Sequence, residues 1–258
     1  MPMDSLDLVT AVRDTPQSAA RIQRLAWSVT ATRTTWSRPV GHHPSDRARG
    51  FRSLEQPQFI VGVVLLVGGA TTTAFVATRR TREDIQRLDE AWYALVQRTR
   101  SAGRTTISKV LDIGFGTTSD WTARVLVTAV LVRQRRWTTL ISWASTIVLG
   151  ELCIGPVKAG INRSRPPDPL TVTSDTSYPS GHSIAAATTG PGIVLALMPA
   201  GRRRQQALGG SVMLAAMTAL SRTDLNAHWL SDCIGGFSLG TGFALVVPPV
   251  IDAIADRV

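Results

Sequence analysis

FIVGVVLLVGGATTTAFVAT, residues 59–78, decides the class of fold. It runs for a full bilayer without a charge: at 1.5 Å per residue a helix of this length spans about 30 Å, the thickness of one hydrocarbon core. Five further apolar segments follow, at roughly 121–132, 137–157, 183–199, 206–220 and 228–251. Together they predict an all-α protein, a bundle of six transmembrane helices. Between the first and second segments, residues 79–116 are mixed in character. Their apolar residues recur at helical spacing in REDIQRLDEAWYALVQRTR, which predicts one or two amphipathic helices after the first span, at the interface or packed on the bundle, and the orientation of the loops makes these helices extracytoplasmic.

Composition agrees with a membrane reading and disfavours others. The 258 residues include 44% hydrophobic and only 18% charged side chains, and the net charge is +10. A mean hydropathy of +0.09 averages two populations, polar Arg-rich stretches and long apolar ones. A disordered chain would be richer in charge and poorer in Val, Leu and Ile. Arg outnumbers Lys 26 to 2, yet there is no zinc-finger spacing, no RNP-like sequence and no basic region followed by heptads, so nucleic acid is not the expected partner. Cys153 and Cys233 form neither a disulfide framework nor a metal-ligand spacing.

The chain divides at residue 57. Residues 1–56 read as a polar, Arg-rich N-terminal tail, flexible and cytoplasmic, with a short amphipathic helix at about 17–29; adjacent His42 and His43 belong to this solvated tail. Residues 57–258 read as the membrane domain. RQRR at 133–136 and GRRR at 201–204 join consecutive spans, and short Arg-rich loops stay in the cytoplasm. The loops between spans three and four, and between five and six, then face outward. The eight Lys and Arg of 79–116 run against this rule, although long segments obey it less strictly and nearby Asp and Glu offset them.

Those two outward loops hold most of the unexpected polar residues. KAGINRSRP places Lys158 at the end of span three and Arg165 beyond it. YPSGHS places Ser180, Gly181 and His182 at the entrance to span four. SRTDLNAHWLSD places Arg222 at the end of span five, with His228 and Asp232 on the first turns of span six. Ionisable groups at membrane depth are costly and point to function. Lys158, Arg165 and Arg222 can surround a tetrahedral dianion, the arginines with forked donors. Ser180 and the Gly181 amide precede a helix N-terminus, which favours anions. His228 and Asp232, four apart, can pair so that the carboxylate holds Nδ1–H and leaves Nε2 as a nucleophile toward phosphorus. His182 can then protonate the departing oxygen.

These three segments resemble the signature motifs of the type 2 phosphatidic acid phosphatase superfamily, which includes the lipid phosphate phosphatases and the vanadium haloperoxidases. The patterns K-x6-RP, PSGH and SR-x5-H-x3-D stand here as Lys158 to Pro166, Pro179 to His182 and Ser221 to Asp232, with every fixed position matched. The resemblance implies a nucleophile at His228, supported by Asp232, a general acid at His182, and phosphate binding by Lys158, Arg165, Ser180, Gly181 and Arg222. It implies no metal and no cofactor. The function expected is metal-independent hydrolysis of a lipid phosphate through a phosphohistidine, at an outward-facing site in a bacterial plasma membrane. Isoprenoid diphosphate, phosphatidic acid and phosphatidylglycerol phosphate are the open substrates, with the composition leaning toward an isoprenoid carrier or envelope-lipid role. The bilayer and the lipid substrate are the expected partners. A phosphotransferase on the same site, or a lipid-binding or transport protein without catalysis, are the alternatives.

Taken singly, each residue has a plainer explanation. A lone Lys or Arg at a helix end is usually an interface anchor, and Arg163 and Arg202 are read that way. A Ser-Gly pair before a helix is usually a cap. Glu151, seven residues before Lys158, shares its helix face and reads as supporting that lysine in a structural pair, with lining the site as the alternative; Asp224 and Asn226 read as loop residues.

Overall fold

The structure is a computed structural model and describes residues 57–173 and 176–257; the expectations for residues 1–56 lie outside it. Among the described residues there are eight α-helices and no strand. They are α1 (Pro57–Ala77), α2 (Arg79–Arg98), α3 (Ala102–Gly114), α4 (Thr117–Arg133), α5 (Trp137–Ile161), α6 (Gly181–Leu197), α7 (Arg202–Asp224) and α8 (Leu230–Ala255). Each of the six apolar segments is one helix, namely α1 and α4 to α8. Three of these, α1, α5 and α8, are long and apolar enough to cross a membrane by length and composition. Residues 79–116 break at 99–101 into α2 and α3, where Ser101 caps α3 by accepting from the Arg104 amide at 3.3 Å.

The apolar exposure of α1 explains its place. Ile60, Val61, Val64, Val67 and Phe75 all point outward, while Gly62, Gly69 and Val76 are its buried residues. In lipid, outward apolar side chains carry no penalty, and helices associate through close backbone approach at small residues. α1 packs most extensively on α8, and α8 also contacts α6, α5 and α7, so α8 is the axis of the bundle. A Cβ at Gly62 would meet Leu245 and Val246 at 2.8 Å, and one at Gly242 would meet Leu66 at 2.7 Å. On the opposite side of α8, a Cβ at Gly240 would lie 2.7 Å from the Ile184 carbonyl and 2.8 Å from Ala187. The side chains that would otherwise hold these helices apart are missing.

A second packing centre holds α4 to α5 and α6. Val127, Leu131, Trp143, Ile147 and Ala196 form one buried cluster, and the Trp143 indole donates to Thr128 Oγ1 at 3.0 Å. Trp143 also lies against Gly192. Above it sits a charged group. Buried Arg124 pairs with Asp120 at 2.7 Å and Glu151 at 2.6 Å, and donates to Thr189 at 3.0 Å. Glu151 is therefore bound to Arg124 of α4, and not to Lys158 as the shared face of α5 suggested. Fully paired, such a cluster is tolerated; with one partner removed it would leave an uncompensated charge.

The ends of the bundle are chemically distinct. Arg136, Arg204, Gln58 and Asp252 border one cavity of about 220 Å³ at the end where α4 turns into α5 and α6 into α7. The segments 162–180 and 225–229 join helices at the other end. There the two connections are tied together: the Leu170 amide donates to Leu225 O at 2.9 Å, Asn226 Nδ2 to Asp168 O at 2.9 Å, and the Trp229 indole to Ser164 O at 2.8 Å.

Gly240→Ala should lower stability by about 1–3 kcal/mol, because the added methyl meets backbone that cannot move freely. Gly68→Ala, where a Cβ has nothing within 4 Å, should leave it unchanged. Thermal unfolding of both variants in one detergent measures the difference.

Candidate active site

Asp232 is the first residue to consider, because four groups converge on it. It is fully buried at the third position of α8, where its Oδ2 accepts from the Trp229 amide at 2.8 Å and from the Ser177 hydroxyl. Its Oδ1 accepts from Arg163 Nη1 at 2.8 Å. His228 approaches the same carboxylate, Nδ1 to Oδ2 at 3.6 Å, which is longer than a hydrogen bond. The spacing places His228 and Asp232 on the first turns of one helix, where the carboxylate can hold Nδ1–H. The structure corrects it: His228 precedes Trp229, the N-cap of α8, so the pair straddles the helix start. Oδ2 is already engaged in capping.

The ring's tautomer follows from its other nitrogen. His228 Nε2 lies 3.1 Å from Arg165 Nη1. A guanidinium only donates, so Nε2 is the acceptor and Nδ1 carries the proton that faces Asp232. Burial holds the His228 ring down at about 4, with Asp232 opposing and Arg165 and Arg222 adding to the depression. The imidazole is thus uncharged at neutral pH, with its lone pair on Nε2.

The cations gather around this ring. Arg165 Nη2 donates to Thr176 O at 2.8 Å and Lys158 Nζ to the same carbonyl at 2.9 Å, while Arg165 Nη1 also donates to Ala227 O. Arg222 is buried at the end of α7, and its carbonyl accepts from the amides of Ala227 and His228 at 3.0 and 3.3 Å. His182 stands on the first turn of α6, its Nε2 3.4 Å from Asp112 Oδ1, and Asp112 Oδ1 is in turn bonded by Arg222 Nη1. Ser180 is the N-cap of α6, fully buried, accepting from Ser183 N at 3.4 Å and Ser183 Oγ at 2.9 Å. Gly181 borders a cavity of about 140 Å³ together with His182, Asp120, Trp121 and Glu151. All eight residues singled out in the sequence lie at this one end of the bundle, carried by α5, α6, α7, α8 and the two connections that bind to each other.

The PAP2 superfamily pattern matches residues 139–255, a stretch that holds every one of these side chains. Over these residues the chain is similar to the PAP2 superfamily. Phosphatidylglycerophosphatase B of Bacillus subtilis (strain 168) is 35% identical over 89 residues, 33% of this chain and 44% of the relative, so the match spans less than half of that protein's length. The crystal structure of a transmembrane PAP2 type phosphatidylglycerolphosphate phosphatase from Bacillus subtilis superposes with a TM-score of 0.60, covering 72% of this chain and 93% of the other at 24% identity. That likeness is one of fold.

Three further residues of this cluster carry no signal in the sequence. Arg163, at a helix end, has the pattern of a snorkelling interface anchor. It is instead buried and bonded to Asp232, to Asp89 at 2.6 Å, to Gln86 at 2.7 Å and to Ser231 at 2.7 Å. Asp89, on α2, also accepts from the Ser231 amide at 2.8 Å. Asp112, on α3, reads in the sequence only as a charge offsetting its basic neighbours. A buried Asp amid the alternating charges of 79–116 has no local signature; its partners are far along the chain.

Arg163→Ala would strand two buried carboxylates. It should cost about 3–5 kcal/mol, read as a lower unfolding midpoint in detergent, while Arg202→Ala at the exposed start of α7 should cost under about 0.5 kcal/mol.

Proposed function

We propose that this chain is a membrane-embedded lipid phosphate phosphatase, a hydrolase of phosphoric monoesters acting through a phosphohistidine. The observation that carries the reading is the meeting of His182, His228, Lys158, Arg165 and Arg222 at one end of the bundle, on residues that match the superfamily. The neutral Nε2 of His228 attacks phosphorus in line with the ester oxygen. Arg165, Arg222 and Lys158 stabilise charge on the equatorial oxygens, the largest usual contribution to such a reaction. His182 protonates the leaving alcohol and then takes a proton from the water that releases phosphate, a role worth about 10²- to 10⁴-fold. Asp232 positions the His228 ring, and the 3.6 Å gap closes as positive charge develops on it, as resting-state catalytic contacts commonly do.

In this reading all six apolar helices span the bilayer, α2 and α3 lie at the outer interface, and the Arg-rich connections at 133–136 and 201–204 face the cytoplasm of a bacterium. Ile107, Val110 and Ile113 of α3 are exposed, as an interfacial helix requires. The site then faces outward. Among the three open substrates, phosphatidylglycerol phosphate is favoured by the names of both relatives. In this reading the hydrolysis runs without a metal, because His228 supplies the nucleophile and Lys158, Arg165 and Arg222 supply the positive charge.

The deciding experiment is phosphate release by purified protein from phosphatidylglycerol phosphate, phosphatidic acid and a polyprenyl diphosphate, with and without EDTA. Release from the first should be fastest and unchanged by chelator; complete loss in EDTA would refute the metal-free mechanism. His228→Ala should reduce release to background with the protein still folded, and retained turnover would remove the nucleophile assignment. His182→Ala should slow alkyl phosphates by about 10²- to 10⁴-fold and p-nitrophenyl phosphate much less. Equal slowing of both would show that His182 is not the acid.

A further inference from the structure

The carboxylate of Asp112 occupies a position that the reaction has not used. It comes from the last turn of α3, outside the superfamily match, and enters the cluster from the side. Its Oδ1 is bonded by Arg222 Nη1 and lies 3.4 Å from His182 Nε2; its Oδ2 accepts from Thr171 Oγ1 at 2.7 Å. Arg222 is 2% exposed, and its Nε, also buried, has no partner. A guanidinium this deep needs a counter-anion, and here Asp112 supplies it with donor capacity on Arg222 still unused.

The same two groups, Arg222 and His182, are those that would hold a phosphate oxygen and protonate the leaving oxygen. We infer that Asp112 is a specificity residue: its carboxylate holds the place of a substrate oxygen and yields to a terminal phosphate monoester but not to a phosphodiester. The inference rests on the lipid-phosphatase reading and deepens it. Its basis is a comparison of charge. Ordinary phospholipids surround the site in vast excess, and each carries a phosphodiester with one negative charge. Exchanging the carboxylate for such a group gains no charge, and it gives up the Thr171 hydrogen bond and a geometry already satisfied. A terminal phosphate carries about −1.5 to −2 at neutral pH and offers three unesterified oxygens, enough to engage Arg165 and the free Nε of Arg222 at once. Asp112 thus admits the dianion and keeps bulk lipid out.

Asp112→Asn keeps the shape and removes the competing charge. The test titrates full-length protein in an uncharged detergent with inorganic phosphate and with dimethyl phosphate, a soluble diester, by calorimetry. It also measures inhibition of lipid phosphate hydrolysis by added phosphatidylglycerol. The wild type should bind phosphate, bind dimethyl phosphate at least about tenfold more weakly, and tolerate phosphatidylglycerol. Asp112→Asn should bind dimethyl phosphate on the order of tenfold more tightly than the wild type and become inhibited by phosphatidylglycerol. Thr171→Ala, which frees the other carboxylate oxygen, should shift both readings the same way by less, and it decides the matter if the Asn variant does not fold. Unchanged or weaker diester binding in the variants overturns the inference, as does a wild type that binds both probes alike; in either case phosphate release still stands. A wild type that binds neither probe overturns this inference and the phosphatase reading together.

Discussion

A charge held inside a membrane protein must find its opposite there, and Arg163 is where this chain meets that requirement most strictly. One guanidinium spans the distance between Asp89 of α2 and Asp232 of α8, two carboxylates that are themselves buried. Each buried carboxylate would be costly at that depth without a partner. The pairing therefore fixes more than itself. It anchors the connection that follows α5, it draws α2 against the start of α8, and it holds Asp232 beside His228. The remaining ties follow the same line: Ser177 N to Arg163 O at 2.8 Å and Ser180 N to Asp232 O at 3.2 Å bring the entrance of α6 to the same place.

The helices before the main bundle take part in this as well. Trp92 donates to Thr223 at 3.1 Å, Gln97 and Arg100 reach Asn226 at 2.8 and 2.7 Å, and Ser108 and Arg104 reach Asp224 at 3.0 and 3.1 Å. Asp224 and Asn226 are thus not idle loop residues. They are the points at which α2 and α3 are fastened to the turn between α7 and α8, and hence to Arg222 and His228.

Much of the fold was legible in the sequence. Long uninterrupted apolar runs mark their own helices, and the three motifs mark the end of the bundle where their residues gather. What could not be read depends on contacts between distant residues. Arg163 looks like any basic residue at a helix end; only Asp89, 74 residues earlier, reveals its role. Glu151 shares a face of α5 with Lys158, but its ionic partner is Arg124 on another helix, and it borders the cavity beside His182. The spacing of His228 and Asp232 suggested a helical pair, and the helix begins two residues too late for that. Periodicity describes one element at a time, and each of these residues answers to a second element.

The placement of Asp232 has a consequence of its own. One oxygen both starts α8, by capping the Trp229 amide, and faces the imidazole of His228. The opening turn of a helix usually frays first, but this one is buried and tied by Arg163, Ser177 and Ser180. The carboxylate facing the ring is therefore as durable as the bundle itself, and heat should remove both together.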